Sequence, residues 1–425
     1  MVVQSANAAE QLFKNHDLAF CDRKCPLALT ARDYNKGSLA MGQYGSYWRF
    51  LRRLCTMELL VNKRINEMAP LRRKCVDAML RRIEDEQGAV NLAQCVFLMS
   101  FNLIGNLVFS RDLLDSQGEE GKEFFDAMGK ISELVGKPNI ADSIPLLKCL
   151  DPQGVKRGMN ENLGKVMKIV GRFVNERAEE QKTGMKRVTN CKDFLDVLLE
   201  FEGQGKQEPD KISDHNINII LLEMFMAGSE TTSSTIEWAM SELLRSPMSM
   251  HKAKEELDAV VGPNRKVEES DIDDLPYLQA VVKETLRLHP AVPLLLPRNA
   301  LEDTKYMEYH IPKGTQVYVN VWAIGRDPES WDEPLCFKPD RFIGSNIDFK
   351  GQNFALLPFG SGRRICVGIS LAQCLVHLAL ASLLHTFDWN LVPDQALDMS
   401  ERVGVSLRKL VPLEATPNQR LNISY

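Results

Sequence analysis

Apolar residues recur every three or four positions through the first two thirds of the chain, which is the spacing of one face of an α-helix. Polar, glycine-containing stretches such as residues 203–213 separate these segments. The pattern therefore predicts a succession of amphipathic helices joined mostly by short loops. Their expected positions are residues 6–14, 46–61, 69–85, 92–109, 160–182, 192–202, 213–246 and 249–261.

The pattern changes in the last third of the chain. Short runs that alternate with period two, such as Thr315–Asn320, are interrupted by prolines as far as Phe342, and this combination predicts strands and loops. A last helix is expected at 369–384 and short strands around 404–411. Before the first helix, the opening residues read as the end of a strand, with Ser5 as a helix cap.

Composition and charge narrow the class of protein. Hydrophobic residues make up 44% and charged residues 26% of the chain, which is typical of a folded globular protein. A net charge of -5 gives no reason to expect nucleic acid as a partner. The 10 cysteines form no CxxC pair, so reduced thiols are expected. Because no repeat and no linker is visible, we expect one domain over residues 1–425, mainly α with small β-sheets.

No apolar run reaches the roughly 18 to 20 residues that would span a bilayer. The longest run, Cys95–Phe109, is interrupted by Asn102 and Asn106. The chain as given is therefore expected to contain no membrane anchor. It also opens without the basic and apolar segments of a secretion signal.

A glycine-rich loop at residues 359–368 carries the candidate chemistry. A glycine-rich turn before a helix can cradle phosphate, but Ile365 stands where a GxGxxG motif needs its third glycine, and no Gly-Lys-Ser/Thr follows. What remains is Cys366, held by a tight loop at a helix N-terminus, where backbone N–H groups and the helix dipole stabilise a thiolate. On residue type alone, a buried structural cysteine is the alternative.

This loop resembles the haem-binding signature of cytochromes P450, Phe-x-x-Gly-x-Arg-x-Cys-x-Gly. Every signature position matches, at Phe359, Gly362, Arg364, Cys366 and Gly368. The resemblance extends over nearly the whole chain and implies the cytochrome P450 fold, with Cys366 as the proximal ligand of a haem b iron. A thiolate in that position pushes electron density toward O–O cleavage. The haem is expected between the long helix around Gly228 and the helix after Cys366.

The long helix places a glycine, an acid and an alcohol at its middle, within Ala227–Thr232. Gly228 costs about 1 kcal/mol there and hydroxyl groups compete for backbone carbonyls, so the sequence favours a special use. An opened helical turn beside Thr231 could hold dioxygen and water, with Glu230 and Thr231 relaying protons. Incidental small polar residues in an ordinary helix are the alternative.

Glu284 and Arg287 stand at i and i+3 on one helical face. Taken alone, they would be an exposed surface pair. The resemblance instead implies a buried pair, joined by Arg341, that braces the loop carrying Cys366. A buried charge cluster needs every partner, so losing either member of the pair is expected to cost several kcal/mol.

The resemblance also implies which residues contact the haem propionates, since a guanidinium group suits a carboxylate. They are Trp48, Arg52, Arg298 and Arg364. Arg49, Arg53 and Arg363 would then form a basic patch on the cysteine side of the haem, where an acidic electron donor could dock. An ordinary solvated charge face is the alternative.

Longer stretches, 227–238, 276–290 and 323–328, resemble the plant microsomal branch of the family and, within it, the group of geraniol and iridoid oxidases. Such enzymes carry an N-terminal membrane helix, a Pro-rich hinge and a first helix and strand, which the chain as given is expected to lack. The resemblance implies the cytosolic face of the endoplasmic reticulum membrane, NADPH–cytochrome P450 reductase as electron donor and a membrane surface as partner of the full-length form.

The expected function is a haem-thiolate monooxygenase that inserts one oxygen atom from O2 into a small lipophilic, terpenoid substrate with NADPH-derived electrons. Substrate contacts are expected from Lys36–Gly45 and from apolar residues near the haem. The predicted contacts are Phe225, Ala227, Val292, Leu294, Leu295 and Val405. An isomerase or dehydratase that uses no O2 is an alternative, which the Glu230–Thr231 pair opposes. The second alternative is a truncated, non-catalytic remnant. Soluble expression with full haem content would argue against that alternative.

Overall fold

The computed structural model describes residues 1–86, 88–113, 119–183, 192–203, 205, 208–392, 396–404 and 406–421. The helices are α1 Ala6–Asn15, α2 Tyr34–Gly37, α3 Ser46–Glu58, α4 Asn62–Glu67, α5 Ala69–Asp85, α6 Leu92–Phe109, α7 Glu119–Gly136, α8 Ile140–Ser143, α9 Val155–Thr183, α10 Phe194–Leu199, α11 Asp214–Arg245, α12 Pro247–Val260, α13 Pro276–Leu288, α14 Val321–Ile324 and α15 Ile369–Thr386. The strands are β1 Val2–Val3, β2 Val90–Asn91, β3 Arg298–Asn299, β4 Thr304–Tyr306, β5 Tyr309–Ile311, β6 Gln316–Val319, β7 Phe387–Leu391, β8 Glu401–Val403, β9 Leu407–Lys409 and β10 Glu414–Gln419. The fold is mainly α with small sheets, as the sequence predicts.

Most predicted helices begin and end close to the expected residues. The Ser5 side chain caps α1 by accepting a hydrogen bond from the Ala8 N–H at 3.3 Å, which confirms the predicted cap. Helix α9 begins at Val155, five residues earlier than expected. Helix α7 is missing from the predicted set, although its buried residues have helical spacing: Phe124, Ala127, Met128 and Ile131.

Helices α6 and α15 are long and apolar enough to cross a membrane by length and composition. The expectation that no run reaches this length is therefore wrong. In α6 the two asparagines do not break the helix, because Asn106 Nδ2 donates to the Asn102 carbonyl at 2.8 Å and Asn102 Oδ1 accepts from the Leu113 N–H at 3.2 Å. About two thirds (67%) of each apolar window is buried in the protein, which is typical of core helices.

The chain divides into two compact units, one of which comprises Met1–Phe20, Ile65–Ser100 and Ser229–Tyr425. In this unit β6 lies between β1, which is parallel to it, and β3, which is antiparallel. A second sheet has the order β2-β10-β7. Buried residues of α1 and β6 form one hydrophobic core cluster, which fixes the position of β3 and of its first residue, Arg298.

The other unit comprises Cys21–Arg64 and Phe101–Gly228. Its core contains an aromatic cluster around Phe225, whose ring centroid lies 4.8 Å from that of Phe101, 5.5 Å from Phe124 and 6.0 Å from Phe109. Aromatic pairs at such distances stabilise a core beyond their buried area. The single domain over residues 1–425 stays a prediction.

Candidate active site

The loop that carries Cys366 is closed by its own backbone. A short 3-10 turn, Gly362–Arg364, precedes the cysteine, and the Cys366 N–H donates to the Phe359 carbonyl at 3.0 Å. Gly360 and Gly362 both have φ +70°, a left-handed conformation that favours glycine. A Cβ at Gly362 would also lie 2.2 Å from Asp17 Oδ1, so no larger residue fits there.

Cys366 differs from the core cysteines in its environment. Its side chain is exposed and it lies just before α15, which begins at Ile369. Burial raises the pKa of the Cys25 and Cys55 thiols to about 12, which keeps them protonated. Among the other exposed cysteines of the described residues, Cys336 precedes no long helix, and Cys149 ends a 3-10 turn six positions before α9. An accessible sulfur at a helix N-terminus fits the thiolate ligand of a haem iron.

Two buried arginines belong to the same unit as Cys366. Arg298 is 3% exposed and Arg364 is 9% exposed. Arg298 Nη1 donates to Asp17 Oδ1 at 3.0 Å, and its Nη2 donates to the Ser361 carbonyl at 2.9 Å, which ties this guanidinium to the glycine-rich loop. Buried guanidinium groups fit the carboxylates of a haem, because they can form bidentate hydrogen bonds with them.

Asp17 is a site residue that the sequence analysis misses. Its carboxylate is buried and bridges Arg298 to Arg363, whose N–H and Nη1 donate to Asp17 Oδ2 at 3.0 and 2.9 Å. Asp17 follows α1, far from both arginines in the sequence. A lone acid after a helix carries no local signal of such a contact.

Trp48 and Arg52 lie in the other unit and share one face of α3, as their spacing predicts. Trp48 is buried and its Nε1 donates to the Leu39 carbonyl at 2.9 Å. The Arg52 guanidinium lies 5.7 Å from the centre of the Trp48 indole ring. The contacts of both residues with haem propionates stay predictions.

The predicted basic patch carries less excess charge than the sequence suggests. Arg53 forms an ion pair with Glu208, and Arg363 forms one with Asp17 at 2.9 Å. Arg49 is exposed and lies over the Tyr44 ring at 5.5 Å. Two of the three arginines therefore have an acidic partner, and Arg49 is the more available charge for docking.

Helix α11 is continuous over its whole length, so the opened turn expected beside Thr231 is wrong for this structure. Hydroxyl groups instead add hydrogen bonds to three successive carbonyls. Ser100 Oγ donates to the Ser229 carbonyl, Ser233 Oγ to that of Glu230 and Thr235 Oγ1 to that of Thr231, at 3.2, 3.1 and 2.9 Å. Such competition weakens a helix locally without opening it.

The acid of this segment is held by residues that the sequence analysis does not identify. Glu230 forms an ion pair with Arg408, and its Oε2 accepts from Ser406 Oγ at 3.1 Å. Thr231, next to it, is partly exposed. In the other unit, a Cβ at Gly228 would lie 2.7 Å from Ile104 Cδ1, which gives this mid-helix glycine a packing reason.

Glu284, Arg287 and Arg341 form the buried cluster that the family resemblance implies, rather than an exposed surface pair. Arg287 Nε and Nη2 donate to the two oxygens of Glu284, both at 2.7 Å, and Arg341 Nε reaches Glu284 Oε1 at 3.2 Å. Arg287 also donates to the Gly325, Pro334 and Cys336 carbonyls. The cluster thus braces residues 325–341, upstream of the Cys366 loop rather than in it.

The predicted substrate residues fall into different environments. Phe225 is 1% exposed within the aromatic cluster, so apolar character there indicates core packing. Ala227 and Leu294 are exposed, and Val292 and Leu295 are half-buried. Leu295 has φ +49°, and the Leu295 N–H donates to the Val292 carbonyl at 3.1 Å in a tight turn. Val405 lies outside the described residues.

Comparisons with known proteins agree with these observations. The family model for cytochrome P450 matches residues 1–413. An iridoid oxidase of Catharanthus roseus is 58% identical over 100% of this chain and 84% of its own length. A geraniol 8-hydroxylase of the same plant is 42% identical over 98% of this chain and 84% of its own length. A zebrafish cytochrome P450 solved with progesterone superposes with TM-score 0.82 at 25% identity, over 98% of this chain and 93% of that one.

Proposed function

The chain belongs to the cytochrome P450 family, and on that premise we propose that Cys366 is the thiolate ligand of its haem b iron. The enzyme is a haem-dependent monooxygenase whose electrons come from NADPH through a redox partner. When bound, the haem activates O2, and a thiolate ligand favours O–O cleavage. The observation that carries the proposal is the accessible Cys366 sulfur on a loop that is closed by its own backbone and followed by α15.

Arg298 and Arg364 would hold haem carboxylates. The same role is proposed for Trp48 and Arg52 from the family resemblance. Burial removes competing water from a guanidinium group and so strengthens its hydrogen bonds to a carboxylate. Asp17 and the Ser361 carbonyl fix the Arg298 guanidinium before the cofactor binds. The cofactor therefore meets a preorganised cation rather than a mobile side chain.

Glu230 and Thr231 would supply the protons that the reaction consumes. The overall reaction is RH + O2 + NADPH + H⁺ → ROH + H2O + NADP⁺, so two protons end in water for each oxygen atom inserted. The Thr231 hydroxyl can pass a proton on and recover it, whereas the Glu230 carboxylate can take one up from solvent. A Cβ at Gly228 would lie 2.7 Å from Ile104 Cδ1, so the glycine lets α11 pack against Ile104 without displacing that side chain.

The substrate class is a small terpenoid. The names of the two plant relatives, an iridoid oxidase and a geraniol 8-hydroxylase, support this class. Partly exposed apolar surface of the kind that binds such molecules is offered by Ala227, Val292, Leu294 and Leu295. Phe225 is buried and would support the site as part of the core. Contacts from Lys36–Gly45 and Val405 remain part of the proposal.

NADPH–cytochrome P450 reductase is the proposed electron donor, and the cytosolic face of the endoplasmic reticulum membrane the proposed location. The likeness to the plant microsomal branch supports both. The exposed Arg49 is the charge that we assign to docking, because Arg53 and Arg363 already form ion pairs. Cell fractionation of the natural protein tests the location.

The test of the ligand is the spectrum of the dithionite-reduced, CO-bound protein. Wild type is expected to give the red-shifted Soret band of a thiolate-bound haem, and Cys366→Ala to lose it. Cys336→Ala is the matched control, since Cys336 is also an exposed cysteine. Haem that stays bound to the wild type without the red-shifted band would refute the assignment. Once the wild type shows that band, it is incubated with geraniol, reductase and NADPH. Mass spectrometry of the oxidised product then tests the substrate class.

A further inference from the structure

The hairpin of β8 and β9 holds both oxygens of the Glu230 carboxylate. Arg408 Nη2 forms an ion pair with Oε1, and Ser406 Oγ donates to Oε2 at 3.1 Å. The two donors also contact each other, because Arg408 Nε donates to Ser406 Oγ at 3.3 Å. Glu230 is 12% exposed and Arg408 28% exposed in this pair, so water screens it only in part.

The same hairpin is attached to two other parts of the proposed site. Ser234 Oγ of α11 donates to the Leu407 carbonyl at 2.7 Å, one helical turn beyond Glu230. The Leu407 N–H donates to the Ala291 carbonyl at 2.8 Å, and Ala291 directly precedes the turn from Val292 to Leu295. The hairpin therefore connects the segment assigned to substrate contact with the acid assigned to proton supply.

We propose that Arg408, assisted by Ser406, is a positioning residue that fixes the Glu230 carboxylate and thereby sets how much NADPH is used for product. This inference rests on the proposed roles of Glu230 and Thr231. An unrestrained glutamate samples several rotamers, and a proton relay works only within hydrogen-bond reach. When the relay fails, the same electrons leave as peroxide: O2 + NADPH + H⁺ → H2O2 + NADP⁺. Arg408 would keep the reaction on the path to ROH and water.

The first experiment compares three variants of the haem-loaded chain, with geraniol as probe substrate. Arg408→Gln removes the charge, Arg408→Lys keeps it, and Arg402→Gln is the matched control. Arg402 lies directly opposite Arg408 in the hairpin and is exposed, so its loss removes the same charge from the same hairpin. Product, hydrogen peroxide and NADPH consumption are measured together, with the CO-bound spectrum and the geraniol binding spectrum of each protein.

Arg408→Gln is expected to bind haem normally and geraniol within about twofold of wild type, since neither contact involves the pair directly. Product per NADPH should fall at least threefold, with peroxide making up the difference. Arg408→Lys should recover at least half of the loss, and Arg402→Gln should match wild type. An unchanged product ratio in Arg408→Gln, or an equal fall in Arg402→Gln, would overturn the inference. The inference would also be overturned if Arg408→Gln lost geraniol binding together with product and Arg408→Lys did not restore it, because that result indicates a merely structural role.

A second readout needs no turnover. If Arg408 and Glu230 act as a pair, Arg408→Gln, Glu230→Gln and the double variant should lower the apparent Tm by similar amounts, because each breaks the same contact. Additive shifts would contradict the pair. Should geraniol give no product, peroxide from substrate-free NADPH oxidation is compared instead, and it should rise in Arg408→Gln but not in Arg402→Gln. If the wild type lacks the red-shifted CO band, the proposed function itself is refuted. If only the outcome expected for Arg408→Gln fails, the proposed function stands and the inference on Arg408 is refuted.

Discussion

Glu284→Gln is expected to lower the free energy of unfolding by about 3–5 kcal/mol, the range for breaking a buried ion pair. The Glu284 carboxylate is fully buried and accepts two hydrogen bonds from Arg287, one from the Lys338 N–H at 2.8 Å and one from Arg341. Glutamine keeps the shape but turns an NH2 group toward donors. It also leaves the Arg287 guanidinium, 1% exposed, without its counter-charge.

Urea unfolding followed by tryptophan fluorescence measures this change. Glu133→Gln is the control, because Glu133 and Lys130 also form an i,i+3 pair but with both side chains 64% exposed. Loss of that surface pair should change stability by no more than about 1 kcal/mol. Equal losses in the two variants would refute the reasoning that burial, rather than the pair itself, sets the magnitude.

Replacing both partners discriminates further. Substituting a buried ion pair by apolar residues often restores stability. Glu284→Leu combined with Arg287→Met should nevertheless be no more stable than Glu284→Gln, because Arg287 also donates to the Gly325, Pro334 and Cys336 carbonyls. Recovery to the wild-type free energy of unfolding would show that these carbonyl contacts contribute nothing.

Three further outcomes are expected. Gly362→Ala should lower the ratio of Soret to protein absorbance, because φ is +70° at this position and the Cβ of the alanine would lie 2.2 Å from Asp17. Gly344→Ala is the control and should keep the wild-type ratio, because φ is +71° there but the Cβ would meet no neighbour. Burial raises the pKa of Glu223 above 4.5, so folding stability should fall as pH rises from 4.5 through the folded-state value, and Glu223→Gln should flatten this pH dependence in urea unfolding. Arg49→Glu should raise the KM for reductase severalfold at low salt and less at high salt, whereas an effect independent of ionic strength would contradict docking by charge.

The parts of the fold that were predictable depend on neighbours in sequence. The Ser5 cap, the ends of α5 and α6, and the loop around Cys366 follow from local spacing and from glycine conformation. A glycine and hydroxyl groups favour an opened turn beside Thr231, but serine and threonine hydroxyls bind the carbonyls there while the helix continues.

What the sequence does not reveal is which distant side chain holds each motif residue. Asp17 lies 281 positions from Arg298, and Ser406 lies 176 positions from Glu230. Periodicity has the same weakness for apolar residues. Phe225 fits a substrate pocket by composition, yet three phenylalanines surround it and make it core. Spacing reports the face on which a residue lies, and only the fold decides what that face meets.

Charge balance around the glycine-rich loop gives a reason for Asp17. Arg298, Arg363 and Arg364 bring three positive charges to this loop and its neighbourhood, and Asp17 contributes one negative charge in contact with two of them. The carboxylate relieves the repulsion between Arg298 and Arg363, which would otherwise oppose folding. The group as a whole keeps two more positive than negative charges. A haem b has two carboxylates, so the arrangement suits the cofactor's charge while it holds one arginine in place beforehand. A neutral residue at position 17 would leave more net positive charge at the loop, but the Arg298 guanidinium would be less firmly oriented. Bidentate recognition of a carboxylate depends on that orientation.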